Sequence, residues 1–404
     1  MKNHPIVDNT TGDQGGGMST NSVRALILSG GGGRGAFHAG VYKYLMKNYK
    51  MNVDSSHVGA WEPQIIVGTS IGAVNGAAIA QGMSADQLVE VWKSLEEKDI
   101  QGLPPGMRGI ARWAARAIFK EVMDERLPQI TPREATSPIP KEFWPPLPLL
   151  PSWIAERLVG HWINLLDTGP LRKTLFDRFH LNEEKLAASE KALLIAATKV
   201  QTGERVLFSN REVKDHKRGE MRNDVYTGIT ADRILASCSI PLVYPWTFDP
   251  ETDSFYWDGA LVANTPLGAA IDMMGGDVNI PAEVVVVMMT PWWESGESAP
   301  AKSETEPKSF GDAITWMLDW MLLASFRENL KMIRAFNEMA IRERQESQPP
   351  YRYRLVTPII VSPMEFLRAE RIIDYDGDVS ATLIDEGYKA AKYAFEKAFP
   401  VSQT

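Results

Sequence analysis

Apolar residues fall along this chain in two rhythms. Short continuous runs occur at "RALIL" from Arg24, "QIIVG" from Gln64, "ALLIAATKV" (192–200), "RVLFS" (205–209), "EVVVVMM" (283–289) and "YRLVTPIIV" (353–361). Runs of this length, rich in Val and Ile, predict strands buried on both faces, the pattern of a largely parallel sheet covered by helices. Elsewhere the spacing changes to that of helices. "AFHAGVYKYLMKNY", between the first two runs, has its larger apolar groups at helical spacing, so the early chain reads as strand, helix, strand. Ile314, Met317, Leu318, Met321, Leu322, Phe326, Ile333 and Phe336 predict a long amphipathic helix over about 309–345, and "ATLIDEGYKAAKYAFEKAF" predicts a closing helix.

Other stretches break these rhythms. Residues 1–22 have neither the apolar core nor the cleavage site of a secretory signal and read as a flexible lead-in. Residues from about 100 to 168 combine a helical pattern with the proline- and aromatic-rich "PIPKEFWPPLPLLPSWI", which predicts an insertion at the rim of the sheet. The polar stretch at about 294–308 predicts a flexible loop. The expected organisation is therefore one α/β catalytic domain over 23–400 carrying that insertion, the loop and the extra helix. Within the insertion, Arg108, Arg112, Arg116 and Lys120 recur every four residues opposite Ile110, Trp113 and Ile118, giving a basic amphipathic helix over 107–122. Such a helix suits peripheral contact with an anionic membrane, or packing with its basic face in water. No uninterrupted apolar run reaches the roughly 18 residues of a spanning helix; one candidate carries Asp319 in its middle.

Charge and cysteine content narrow the functional classes. A net charge of −8 argues against a general nucleic-acid binder. The single cysteine, Cys238, excludes an intramolecular disulfide and a multi-cysteine zinc site, and fits a reducing, cytoplasmic setting.

The chemistry is concentrated in three places. "SGGGGRGAFHAG", Ser29 to Gly40, follows the first strand with four consecutive glycines, leaving main-chain amides open to a phosphate, a nucleotide or a reacting oxyanion. "IIVGTSIGAVNGAAIA" places Gly68, Ser70 and Gly72 as G-x-S-x-G at a strand-to-helix junction, the setting of a nucleophile elbow. A serine hydroxyl needs a base. The six histidines are His4, His38, His57, His161, His180 and His216, and those beyond the elbow lie in segments without a supporting motif. The other candidate is Asp258 in "FYWDGALVANTP", a carboxylate at a strand end followed by glycine. Gly30, Gly32 and Gly35 also satisfy G-x-G-x-x-G, but the next strand ends in "VGTS" without the ribose-binding acid of a dinucleotide site. A P-loop is excluded because Ala36 and Phe37 stand where Lys and Ser/Thr are required.

Taken in order, "GGGGRG" (30–35), "GTSIG" (68–72) and "DGA" (258–260) resemble the three signatures of the patatin-like phospholipases. The resemblance extends to "LIAATKVQTGE" (194–204), "ASCSIPLVYPW" (236–246), "NTPL" (264–267) and "LIDEGYKAA" (383–391). It implies a three-layer α/β/α fold with a mostly parallel sheet, in which Ser70 is the nucleophile and Asp258 activates it without histidine or metal. It further implies an oxyanion hole from the amides of Gly31, Gly32 and Gly33, supported by Gly30, Arg34, Gly35, Gly68, Gly72 and Gly259. Arg34 is expected to pin the glycine loop, with a lipid phosphate as its alternative contact. Ala260 departs from the glycine often found there. The implied activity is hydrolysis of acyl-lipid esters through an acyl-serine intermediate, without a cofactor. Its rival is a scaffold that binds lipid or a partner without chemistry.

Overall fold

In the computed structural model the described residues are 22–47, 61–102, 164, 166–215, 219–294, 310–366 and 375–399. The N-terminal lead-in, the 107–122 segment with most of the insertion, and the loop after Glu294 lie outside them. The strands are β1 (Val23–Leu28), β2 (Ile65–Thr69), β3 (Ala192–Lys199), β4 (Arg205–Ser209), β5 (Val225–Thr227), β6 (Thr247–Asp249), β7 (Ser254–Asp258), β8 (Ala282–Val287) and β9 (Ile359–Val361). The helices are α1 (Ala36–Lys47), α2 (Ile71–Ala80), α3 (Ala85–Ser94), α4 (Glu97–Ile100), α5 (Gly169–Asp177), α6 (Glu183–Ala187), α7 (Ala231–Ser237), α8 (Leu267–Met273), α9 (Phe310–Glu346) and α10 (Gly377–Ala398).

All the strands join one sheet, ordered β5-β4-β3-β2-β1-β8-β9, with β7 on β3 and β6 on β7. The ladders β1–β2, β1–β8, β2–β3, β4–β5 and β8–β9 are parallel, whereas β3–β4, β3–β7 and β6–β7 are antiparallel. Alternation along the strands sorts the core into two layers. Leu26, Leu28, Ile66 and Leu193 point toward residues of α1, α2, α3, α7 and α10; Ala25, Ile27, Val67 and Leu194 point toward α8 and α9. The fold is therefore the three-layer α/β/α sandwich with a mostly parallel sheet, and continuous apolar runs arise because both faces are covered.

Two features of the packing matter for the site. Helices α1 and α10 approach until their backbones nearly touch: a methyl group on Gly40 would lie 1.9 Å from the Ile384 carbonyl oxygen, and one on Gly387 2.2 Å from that of Phe37. Leu383, Ile384 and Phe395 are buried there, each contributing roughly 1.5–3 kcal/mol by leaving water. On the opposite layer, α9 buries Leu323, Phe326, Leu330 and Ile333 against the sheet, while Met317 of the predicted stripe is exposed.

The 353–361 strand is shorter than its apolar run suggests: only Ile359–Val361 pairs with β8. Side chains of α9 take up some of the remaining backbone groups. Asn337 of α9 accepts from the Val356 N–H and donates to the Val356 carbonyl, and Arg344 donates to the Tyr353 carbonyl.

Candidate active site

Parallel strands release their C-terminal ends on one edge of a sheet, and here β1 and β2 do so side by side, with Leu28 opposite Gly68. The glycine loop leaves β1 and Ser70 leaves β2, so the two motifs meet without further help. Asp258 arrives differently. On β3, Ala197 pairs with Val206 of β4 on one side and with Asp258 of β7 on the other, while the preceding Ala196 pairs with Thr69 of β2. Strands β2 and β7 thus share the same side of β3, running toward each other end to end. They meet where Ser70 turns away into α2 and Asp258 terminates β7.

Ser70 sits at φ 55° and ψ −127°, outside the regions an L-residue prefers, at a cost of about 1–3 kcal/mol. It occupies the N-cap of α2, yet its side chain makes no capping bond, so the hydroxyl is not committed to the helix. The turn closes because its neighbours lack side chains. A methyl on Gly72 would lie 2.2 Å from the Leu28 carbonyl oxygen, and one on Gly68 2.4 Å from that of Gly72. The Ser70 N–H donates to Ser237 Oγ at 2.8 Å, and that hydroxyl donates to the Ala196 carbonyl at 2.6 Å.

Asp258 is 3% exposed and held on several sides. Its N–H donates to the Ser239 carbonyl at 2.9 Å, its carbonyl accepts from Thr198 Oγ1 at 2.9 Å, and its Oδ1 accepts from the Ala260 N–H at 2.8 Å. Gly259 makes the approach to β3 possible, since a methyl there would lie 2.3 Å from the Ala196 carbonyl oxygen. Ala260 does not have a positive φ, so the departure from glycine is accommodated. The second carboxylate oxygen, Oδ2, is buried without a partner in full hydrogen-bond geometry. Burial pushes the carboxyl pKa up to about 7, and the neighbouring Ser70 hydroxyl and the Ala260 N–H act against that rise. A carboxyl with this pKa is available as a base near neutrality.

The glycine loop lies over this pair. A Cβ on Gly30 would be 3.1 Å from Ser70 Cβ and 3.3 Å from Ala260 Cβ. The Gly30 N–H is taken by Asn264 Oδ1 at 2.7 Å and the Arg34 N–H by the Gly31 carbonyl at 3.2 Å. Among the described residues, the N–H groups of Gly31, Gly32 and Gly33 donate to no protein acceptor. Gly32 has φ 58° and opens a 3-10 turn, Gly32–Gly35, that leads into α1. Gly35 packs on Ile71 and Trp92, and its carbonyl accepts from Asn75 Nδ2 at 3.0 Å. Arg34 is 1% exposed: Nε donates to the Gly31 carbonyl at 3.3 Å and a terminal nitrogen to the Met289 carbonyl at 3.2 Å.

No described histidine hydrogen-bonds to Ser70. His38 is fully buried against Asn75, its pKa lowered to about 3 by desolvation, and His180 is exposed. A cavity of about 210 Å³ between α8 and α9, lined by Ile271, Met332, Ile333 and Phe336 among others, includes neither Ser70 nor Asp258 nor any glycine-loop residue in its lining. Among the described residues there is no cluster of metal-ligating side chains and no helix long and apolar enough to cross a membrane.

The "ASCSIP" segment enters the sequence reading only as part of the resemblance; its Ser237 and Ser239 hold Ser70 and Asp258 respectively. Asn75, as an anchor of the glycine loop, went unread. Asn264 was visible only as part of "NTPL", and Asp319 only as a charge breaking an apolar run.

A family model described as patatin-like phospholipase matches residues 26–271, well over half of the chain. A protein from Vibrio cholerae described as a cGAMP-activated phospholipase is 25% identical over 256 residues, which cover 61% of this chain and 56% of the relative. The aligned part thus spans little more than half of that relative's length. Among solved structures, VipD from Legionella pneumophila matches at 12% identity with a TM-score of 0.41, covering 94% of this chain and 67% of VipD.

Proposed function

Since the chain belongs to the patatin-like phospholipase family, we propose that it hydrolyses carboxylic esters of acyl lipids, glycerophospholipids or their lyso forms, with Ser70 and Asp258 as a catalytic dyad. Ser70 Oγ attacks the ester carbonyl while Asp258 Oδ2 takes its proton. The carbonyl oxygen becomes an oxyanion and lies against the N–H groups of Gly31, Gly32 and Gly33, the donors left open in the loop. Collapse of the tetrahedral intermediate breaks the ester bond, and Asp258 returns the proton to the departing alcohol. Water activated by the same carboxylate then releases the fatty acid from acyl-Ser70. Each oxyanion donor is worth about 2.7–4 kcal/mol of transition-state stabilisation, which gives the bare glycine loop its purpose.

The observation that carries this reading is the end-to-end meeting of β2 and β7 on β3, with a buried carboxylate oxygen left open beside the Ser70 hydroxyl. The test has two arms. A fluorophosphonate probe is expected to label the wild type but not Ser70→Ala; equal labelling of both removes Ser70 from the mechanism, and no labelling of either favours the non-catalytic scaffold. Mass spectrometry of a mixed lipid extract is expected to show released fatty acid and lysolipid with the wild type and neither with Asp258→Asn. The relative's activation by cGAMP extends the proposal to regulation, with turnover expected to rise when cGAMP is added.

A further inference from the structure

Helix α9 follows the matched stretch 26–271, yet it reaches back to the glycine loop directly at one point and to the segment that holds the loop at another. Asp319 Oδ1 lies 3.5 Å from a terminal nitrogen of Arg34, with side chains 2% and 1% exposed respectively. Ten residues on, Asn329 Nδ2 donates to the Thr265 carbonyl at 3.1 Å, next to the Asn264 that accepts from the Gly30 N–H.

The first contact bears on the amides themselves. Arg34 grips the Gly31 carbonyl with Nε and the Met289 carbonyl with a terminal nitrogen. The Gly31 carbonyl and the Gly32 N–H belong to one planar peptide unit and point in opposite directions, so fixing the first aims the second. A guanidinium this deeply buried requires a counter-charge to remain there. We propose that Asp319 is a positioning residue: by holding Arg34 in place, it keeps the Gly31–Gly33 amides directed at the reacting carbonyl oxygen. The inference rests on the hydrolase reading for its consequence in turnover, and on the buried ion pair alone for its consequence in loop order.

Both consequences are measurable on the full chain. With a soluble p-nitrophenyl acyl ester, Asp319→Asn is expected to lower kcat at least about tenfold, because misaimed oxyanion donors act on the transition state. KM should stay within about twofold. Because Asp319 acts through Arg34, adding Asp319→Asn to Arg34→Gln should cost nothing further. Hydrogen–deuterium exchange should quicken in the peptide covering 29–37 and not in that covering 192–199 of β3. Asp319→Glu, which keeps the charge on a longer arm, should fall between wild type and Asp319→Asn. It is the variant read if Asp319→Asn does not fold. Wild-type kcat and loop exchange in the variant read, full additivity with Arg34→Gln, or exchange that quickens equally in β3 would each overturn the proposal. If the wild type hydrolyses no ester, the hydrolase reading fails separately and the exchange measurement decides whether Asp319 holds the loop.

Discussion

The Ser70 N–H donates to the Ser237 hydroxyl, which in turn donates to the Ala196 carbonyl, so a single side chain ties the strained elbow to the strand beneath it. Ser237→Ala leaves a buried N–H and a buried carbonyl unsatisfied, a loss of about 1–3 kcal/mol for each. We expect a lower Tm by calorimetry together with reduced kcat, because the elbow would relax toward an ordinary backbone conformation. Wild-type kcat in a folded Ser237→Ala protein would show that the elbow holds its geometry unaided.

Under the proposed mechanism, with Asp258 as the base, its carboxyl gives the reaction a pH profile. Its pKa of about 7 means that the base is mostly protonated at pH 5 and mostly ionised at pH 8, so kcat/KM is expected to rise through a midpoint near 7. A midpoint near 4 would be inconsistent with a desolvated carboxylate as the base.

The raised pKa also acts on stability. Because the folded value lies above the ordinary 3.8, the fold favours the protonated form. That contribution is fully present below about pH 4 and is lost as pH rises through about 7, at about 1.4 kcal/mol for each pH unit separating the two values. Asp258→Asn, which cannot ionise, should therefore gain in Tm over the wild type between pH 5 and pH 8 while hydrolysis is abolished. Parallel Tm curves for the two proteins across that range would contradict the buried-charge account.

Cys238 lies one residue from each of the two clamping serines, 5% exposed, with its thiol pushed well above 9 by burial and then by the charge of Asp258. A thiol so rarely ionised is a poor nucleophile. Native protein should resist iodoacetamide at pH 8 and react fully in 6 M guanidinium, a denaturant level of roughly the strength that unfolds even very stable proteins. Mass spectrometry of the intact chain distinguishes the two states.

Glycine substitutions should separate by what a methyl group meets. Gly40→Ala would drive a carbon into the α10 backbone at Ile384, and is expected to cost more than the roughly 1–3 kcal/mol of ordinary overpacking. Gly268→Ala, in the exposed first turn of α8 with open space around it, should stabilise by roughly 0.5–1 kcal/mol. Denaturant melts of both variants test this ordering.

How much of this was readable before the fold was known depends on how each feature is written in the chain. Strands β1, β2, β3, β4 and β8 and the helices α1, α9 and α10 were legible, because burial on two faces or one stripe forces a regular apolar spacing. The three-residue strands β5 and β6 were not, since so short a segment leaves no periodicity. The apolar run at 353–361 misled because its early part bonds to side chains of α9, Asn337 and Arg344, and not to a neighbouring strand. In the candidate site, the glycines and Ser70 stand out because a tight turn tolerates few alternatives. Ser237, Asn264 and Asn75 contribute two, one and three hydrogen bonds respectively, and in sequence they look like any polar residue. The direction of β7, which brings Asp258 to Ser70, is a matter of register and has no local signature.

That register also says where the chain is free to vary. Since β3 sets the heights of both Thr69 and Asp258, the connections leading to them carry no information about the distance between hydroxyl and carboxylate. Lengthening a turn such as 201–204 or 250–253 leaves that register, and with it the spacing of the pair, in place. Slippage of β7 by a single position would instead swing the carboxylate to the opposite face of the sheet.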